Sequence, residues 1–511
     1  MIVVVDVGTT NCKTSLFDEK GYMRSIAYKE YNNIYFSASN IEQNPKVWFN
    51  SVLETMSKCI KRFSNTNEIK AIIVTSQRAT IIPINKKGEF LRNAILWLDK
   101  RSISECEFIR SKIGEYTIYK KTGLRIDPYF SAPKVLWIKN NQPDIYNTTY
   151  KFLTVHDYII YNLTGEIFTD QTQASRTMLF NIDKFCWDDE IFKCLEIDQD
   201  KFPQVVATGT KVGELKHNVA KKIGFPKEIP VLAGGGDQQL AAIGLGIIKE
   251  GRIGVTTGSG SFIIAHSDRS LRDEKMRILC SASAISNKWI LEAGIFTTGS
   301  IYKWFKDTFG QVEAILSKEL KKSPYEILDM EIEANSFRYP SKLILLPHFT
   351  GSAAPYWNPF AKGVLFNLTL HTTRGDIIKA VLESICLEIK KNISIIEELS
   401  KKSIEEVYVG GGISKSDLFN QIQANVYGKY IIKVSTSEVA SLGAAIIGLT
   451  KLGLYKDLNE CVSNMIKIEK KIAPNYELTK KYDAIMRISE EIYNALEEKG
   501  LYKKAFEILD S

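Results

Sequence analysis

Two short stretches of the same shape, one opening the chain and one just past its middle, constrain this sequence more than anything else in it. Residues 2–18 read IVVVDVGTTNCKTSLFD and residues 254–264 read GVTTGSGSFII. Each is an apolar strand, a tight turn of Gly, Thr and Ser, and a returning strand, which reads as a β-hairpin whose turn presents backbone N–H groups and hydroxyls. Two such hairpins so far apart suggest an internal duplication, each copy opening its own domain. With 511 residues the chain is too long for one compact core, so two domains are expected. The boundary is expected near 245–255, giving domains 1–248 and 249–511.

Strand and helix signals alternate between and after the hairpins. Ile69–Thr75 and Ile229–Ala233 read as strands, the second ending in Gly234-Gly235-Gly236 before an apolar helix over Leu240–Ile248. Val407–Val409 runs into Gly410-Gly411-Gly412 and then a helix over Asp417–Val426, and a surface helix is expected from Leu478. Strands alternating with helices indicate an α/β fold.

Several function classes lose support. The net charge of +8 comes from scattered Lys pairs rather than a basic stripe, so no nucleic-acid partner is expected. Eight cysteines form no C-x-x-C pair, and neither an export signal nor a membrane-length apolar run is present; a reducing cytoplasm is the expected location. There is no G-x-x-x-x-G-K-[ST] and no G-x-G-x-x-G after the first strand. The five histidines are far apart in sequence and read as structural or surface residues.

Four glycine-rich sites remain at strand ends: Asp6–Thr10, Gly234–Asp237, Gly258–Gly260 and Gly410–Gly412. Phosphoryl transfer needs a phosphate cradle, a magnesium ion, a nucleophile and a proton acceptor. The Thr9-Thr10 and Ser259–Ser261 turns fit the cradle. Asp6 suits Mg²⁺, which keeps much of its hydration. Asp237 either accepts a proton from a substrate hydroxyl or only caps the helix that follows it.

At these residues the sequence resembles the FGGY family of carbohydrate kinases, and within it the glycerol kinase branch. The resemblance runs nearly end to end and is densest in TGLRIDPYFSAPKVLWI (122–138), TDQTQASRTMLFNIDKFCWDD (169–189), GGGDQQLAAIGLG (234–246), HFTGSAAPYWNPFAKGVLF (348–366) and DIIKAVLESI (376–385). It implies two duplicated actin-like (ribonuclease H-like) ATPase domains around a central cleft, with a small sugar or polyol on the first, ATP mostly on the second, and Mg²⁺ as cofactor. A homodimer is left open. Carried over by position, Asp237 matches the catalytic base, and Arg78, Trp97, Tyr129, Asp237, Gln238 and Phe262 match the polyol pocket. Asp6 matches the magnesium-associated carboxylate. Thr9, Thr10, Lys13, Gly258, Ser259, Gly299, Lys303, Gly411, Gly412 and Ser416 match the nucleotide site. Asp99 and Arg101 are expected to pair, and Phe180, Trp187 and Trp357 to pack.

The sequence departs from glycerol kinases at four of these motifs. Lys13 stands for Arg, Ser416 for Asn, Asn367 for Gly, and Ala79 follows Arg78 where that branch has a Glu that holds glycerol hydroxyls. The reading preferred is a pocket enlarged at Ala79 for a longer polyol or ketose; glycerol bound by the remaining groups is the alternative. From other classes, a non-catalytic actin-like ATPase would share the hairpins but would not need Asp237-Gln238 together with Arg78 and Trp97, and retention of Asp6 and Asp237 argues against a sugar sensor.

Overall fold

The computed structural model describes residues 1–37, 39–63, 65–225, 229–335 and 340–509. They gather into two compact units. The first comprises Met1–Ile248, His266–Ile290 and Glu438–Ile466; the second comprises Lys249–Ala265, Leu291–Ser437 and Lys467–Ser511. The main segment of the first unit thus ends at residue 248, and two later segments return to it.

The first unit is built on β1 (Ile2–Val7), β2 (Asn11–Phe17), β3 (Met23–Glu30), β4 (Ala71–Ser76), β5 (Lys211–Glu214) and β6 (Pro230–Gly236), in the order β3-β2-β1-β4-β6-β5. β1 is antiparallel to β2, with Asp6 opposite Lys13, and parallel to β4. β4 and β6 are parallel, and β5 closes the edge antiparallel to β6. The apolar run of β1 is continuous because both faces of this central strand are covered. Val3, Val5 and Val7 face a core shared with Trp48, Val52 and Met56 of the helix Pro45–Lys61. Ile2 and Val4 face the opposite core, shared with Leu442, Ala445 and Ile446 of the helix Val439–Lys451. That last helix crosses the helix Asp237–Gly244 backbone to backbone: a Cβ on Gly244 would overlap the Val439 carbonyl, and one on Gly443 the Leu240 carbonyl.

The second unit repeats the plan. Its strands β7 (Arg252–Thr257), β8 (Ser261–Ser267), β9 (Trp289–Ile295), β10 (Glu406–Gly410), β11 (Tyr430–Val434) and β12 (Ile468–Ile472) follow one another as β9-β8-β7-β10-β11-β12. β7 is antiparallel to β8 and parallel to β10, β10 is parallel to β11, and β12 is antiparallel to β11. Over these six strands the order matches that of the first unit, and the senses of β7–β8, β7–β10, β10–β11 and β11–β12 match those of β1–β2, β1–β4, β4–β6 and β6–β5. The hairpin expectation therefore holds at the level of whole sheets, and β1–β2 corresponds to β7–β8. No helix among the described residues is long and apolar enough to cross a membrane.

Candidate active site

In the first unit three strand ends bring the expected residues together. β1 delivers Asp6, and its turn carries Thr9 and Thr10. Tyr31 fixes this turn, donating its hydroxyl hydrogen within reach of the carbonyls of Gly8 (2.7 Å) and Asn11 (2.9 Å). Asp6 pairs across the hairpin with Lys13, whose Nζ is held 2.7 Å from the Glu438 carboxylate. Loss of solvation, with Asp237 and Glu438 nearby, pushes the Asp6 carboxyl up to about 7 against the pull of Lys13. Burial opposes the charge on Lys13, but Glu438 and Asp6 outweigh it and raise its pKa.

The end of β6 delivers Asp237. Gly235 there takes φ +96°, and any Cβ on it would overlap Thr172 and Asp170. The Asp170 carboxylate is fully buried and accepts from Thr208, Thr172 and the Gln173 amide; Thr172 in turn accepts from the Gly236 amide at 2.8 Å. This network sets the direction in which β6 hands Asp237 to its helix. The Asp237 carboxylate accepts from the Gln238 amide at 2.8 Å and lies 3.6 Å from the Arg78 guanidinium. The buried Arg78 extends from the end of β4 and donates to Gln239 at 3.1 Å. Gln238 itself stays partly exposed beside Asp237.

The aromatic wall is continuous with the hairpin turn. Trp97 donates from Nε1 to Thr9 Oγ1 at 2.9 Å, and its ring lies 5.2 Å from that of Tyr129. Tyr129 sits under the Arg176 guanidinium, 5.5 Å from its ring centre. The fully buried Lys134 donates to the carbonyls of Pro128, Tyr129 and Phe130, anchoring the loop that carries Tyr129. Asp99 and Arg101 pair at 2.8 Å as expected. Phe180 is buried with Trp187 edge-on against it, while Trp357 is partly buried. Ala79 requires a correction: it is fully buried, at φ 62°, so no open space lies at its own side chain. The change from a carboxylate there removes an acceptor and does not by itself widen a pocket.

In the second unit the remaining residues converge on a pocket of about 660 Å³, lined among others by Gly258, Ser259, Gly299, Lys303, Gly412 and Ser416. The β7–β8 turn receives the start of the helix Gly299–Phe309: the Gly299 and Ser300 amides donate to the carbonyls of Gly258 and Ser259 at 3.1 Å each. Gly411, at φ +92°, lies where a Cβ would overlap the Thr257 carbonyl. Lys303 is exposed and pairs with Asp307. Phe262 lies on β8 of this unit, opposite Thr256 and partly buried.

Sequence reasoning missed Gln239, Arg176, Lys134 and Asp170 in the first unit, and Tyr302, Tyr325 and Asp329 in the second. Arg176 and Lys134 stand inside two of the densest matching stretches, which was the available signal. Asp329 had none.

A duplicated α/β sheet with one polar strand-end site and one glycine-lined pocket defines an actin-like ATPase fold. The N-terminal domain of the FGGY family of carbohydrate kinases matches residues 1–244, and its C-terminal domain matches residues 254–452. Glycerol kinase 2 of Thermotoga maritima is 32% identical over 93% of this chain and 94% of its own. Among solved structures, a xylulose kinase from Lactobacillus acidophilus is similar with a TM-score of 0.88 and 26% identity, covering 97% of this chain and 98% of its own. The glycerol kinase of Plasmodium falciparum with ADP has a TM-score of 0.85 at 25% identity, covering 96% and 98%. The chain belongs to the FGGY family of carbohydrate kinases. It is an ATP-dependent phosphotransferase that acts on a hydroxyl group.

Proposed function

We propose that the enzyme phosphorylates a polyol or ketose other than glycerol. The observation that carries this reading is Ala79 beside Arg78: glycerol kinases hold glycerol through a Glu there, and this chain has a methyl group. A site built around a hydroxyl contact loses selectivity for that ligand when the contact goes. Support comes from the likeness to a xylulose kinase beside that to glycerol kinases.

In this mechanism Arg78 and Gln238 hold substrate hydroxyls, and Trp97 and Tyr129 pack on the carbon face. Asp237 takes the proton of the attacking hydroxyl as its oxygen bonds the γ-phosphorus. The bond to the β–γ bridging oxygen breaks, and ADP leaves with the electron pair. Arg78, 3.6 Å from Asp237, holds that carboxylate in place. Thr10 and Ser259 donate to phosphate oxygens that gain charge. Gly258, Gly299, Gly411, Gly412 and Ser416 let the nucleotide approach backbone closely, and Lys303 adds a cation.

Mg²⁺ fits the donors present. Burial, with Asp237 and Glu438 nearby, disfavours negative charge on the Asp6 carboxylate, and a cation beside it would offset that. That suits an ion held by one carboxylate, water and substrate phosphates. When bound it would neutralise phosphate charge.

A coupled ADP-release screen tests the reading, with glycerol, erythritol, pentitols, xylulose, ribulose, fuculose, gluconate and dihydroxyacetone as acceptors. One polyol or ketose other than glycerol should lead in kcat/KM. Glycerol in first place would overturn the acceptor proposal.

A further inference from the structure

The pocket of the second unit holds a carboxylate that no motif announces. Asp329, on the helix Pro324–Asn335, lines it between Tyr302 and Ser416. Tyr302 donates its hydroxyl hydrogen to Oδ1 at 2.8 Å, and Ser416 donates to Oδ2 at 2.6 Å. Ser416 Oγ in turn accepts from the Phe419 amide at 3.0 Å, as the N-cap of its helix. Both hydroxyl hydrogens are therefore turned toward Asp329. An ionised carboxylate is acceptor-only, so this part of the wall offers acceptors and no free donor. Where related kinases carry Asn at position 416, one side-chain amide offers both a donor and an acceptor. Here the serine is committed to its helix cap and to Asp329, and the free acceptor has moved to Asp329.

We propose that Asp329 reads the nucleotide base, accepting a hydrogen bond from the 6-amino group of adenine and rejecting purines with a 6-oxo group. The proposal rests on the reading of this pocket as the nucleotide site. A 6-oxo group would set an acceptor against a carboxylate, leaving both without a hydrogen. Burial, with Glu333 and Glu326 nearby, raises the Asp329 pKa against the two hydroxyl donors, so the group gains from a further donor at its free lone pairs. The tilted Tyr302–Tyr325 pair, 5.1 Å between ring centres, gives the same pocket an apolar flank for a flat base.

The test is calorimetric titration of the full chain with ADP and with IDP, which need no acceptor substrate. Wild type should bind ADP about 10- to 100-fold more tightly than IDP, the range expected for a hydrogen bond to a charged group against its loss. Asp329→Asn, whose amide can turn a donor toward a 6-oxo group, should bring the two within about threefold. Equal wild-type affinities, or an unchanged ratio in Asp329→Asn, overturn the proposal; so does a wild type that binds neither nucleotide. If Asp329→Asn fails to fold, the wild-type ratio still decides. A wild type that phosphorylates its acceptor equally well with ATP and ITP overturns base reading while leaving the kinase reading intact.

Discussion

The hairpins β1–β2 and β7–β8 occupy the same position in two sheets of the same order, yet they carry different chemistry. At the position before the turn strand ends, the first places Asp6 opposite Lys13, a charged pair; the second places Thr256 opposite Phe262. The first turn spans Gly8–Asn11 and hangs a side-chain network on it, from Trp97 through Thr9 to Gln77. The second spans Gly258–Gly260 and is tied to its neighbours through its own carbonyls, which accept from the Thr298, Gly299 and Ser300 amides and from the Thr298 hydroxyl. One topology thus carries two kinds of turn, one that positions side chains and one that is held by its own backbone carbonyls. Duplication conserves where a loop points; it leaves free whether side chain or backbone does the work.

The widest gap between the two regions should open with Asp237→Asn. Turnover should fall by about 10²–10⁴-fold, the usual worth of a placed base, while ADP titration stays unchanged; normal turnover in the folded variant would break the distinction. Gly411→Ala strikes the other region. Its φ of +92° and the overlap with the Thr257 carbonyl should weaken ADP binding by about 10-fold or more, with acceptor KM moving little. Trp97→Phe keeps the ring and drops the bond to Thr9, so acceptor kcat/KM should fall about 3- to 10-fold with ADP affinity unaffected. The smallest effect concerns the support of Tyr129. Burial lowers the Lys134 amine to about 7 from 10.5. Between those values the unfolded chain binds a proton that the folded one does not, so this residue's contribution to stability rises with pH and is smallest below 7. The difference in melting temperature between wild type and Lys134→Met should therefore grow from pH 7 to pH 9, and a difference that shrinks would be a failure of this assignment.

The features that were legible in the sequence are those in which local chemistry and tertiary role coincide. A strand that must turn back over a ligand needs its apolar run, its glycine and its hydroxyls in consecutive positions, so both hairpins could be read directly. The same holds for the glycines before Asp237, and for Asn367, whose φ of 71° is one that Asn tolerates where Gly is usual. What stayed hidden depends on residues far apart in the chain. Gln239 steadies Arg78 across 161 positions, and Ser416 meets Asp329 across 87. Nothing in a helix such as Pro324–Asn335 marks which of its carboxylates face a pocket. Ala79 misled in the opposite sense, because a small residue in a motif suggests space, and whether space exists depends on what its neighbours fill. Glu438–Ile466 was equally unreadable as part of the first unit: an apolar helix does not say which sheet it covers.

That late helix has a consequence for how the chain is made. Asp237 heads a helix whose other end is set against Gly443 with no room for a side chain between them. A ribosome emits residues 1–248 long before Val439–Lys451, so the nascent first unit must wait with one face of β1 and β4 uncovered while nearly 200 further residues are synthesised. The helix headed by Asp237, the base proposed above, is among the last parts to be locked, although its residues are among the earlier ones translated. A fragment ending at 248 would emerge with the whole of the sheet and an exposed apolar face, and would be prone to aggregate until the missing helix was supplied in trans.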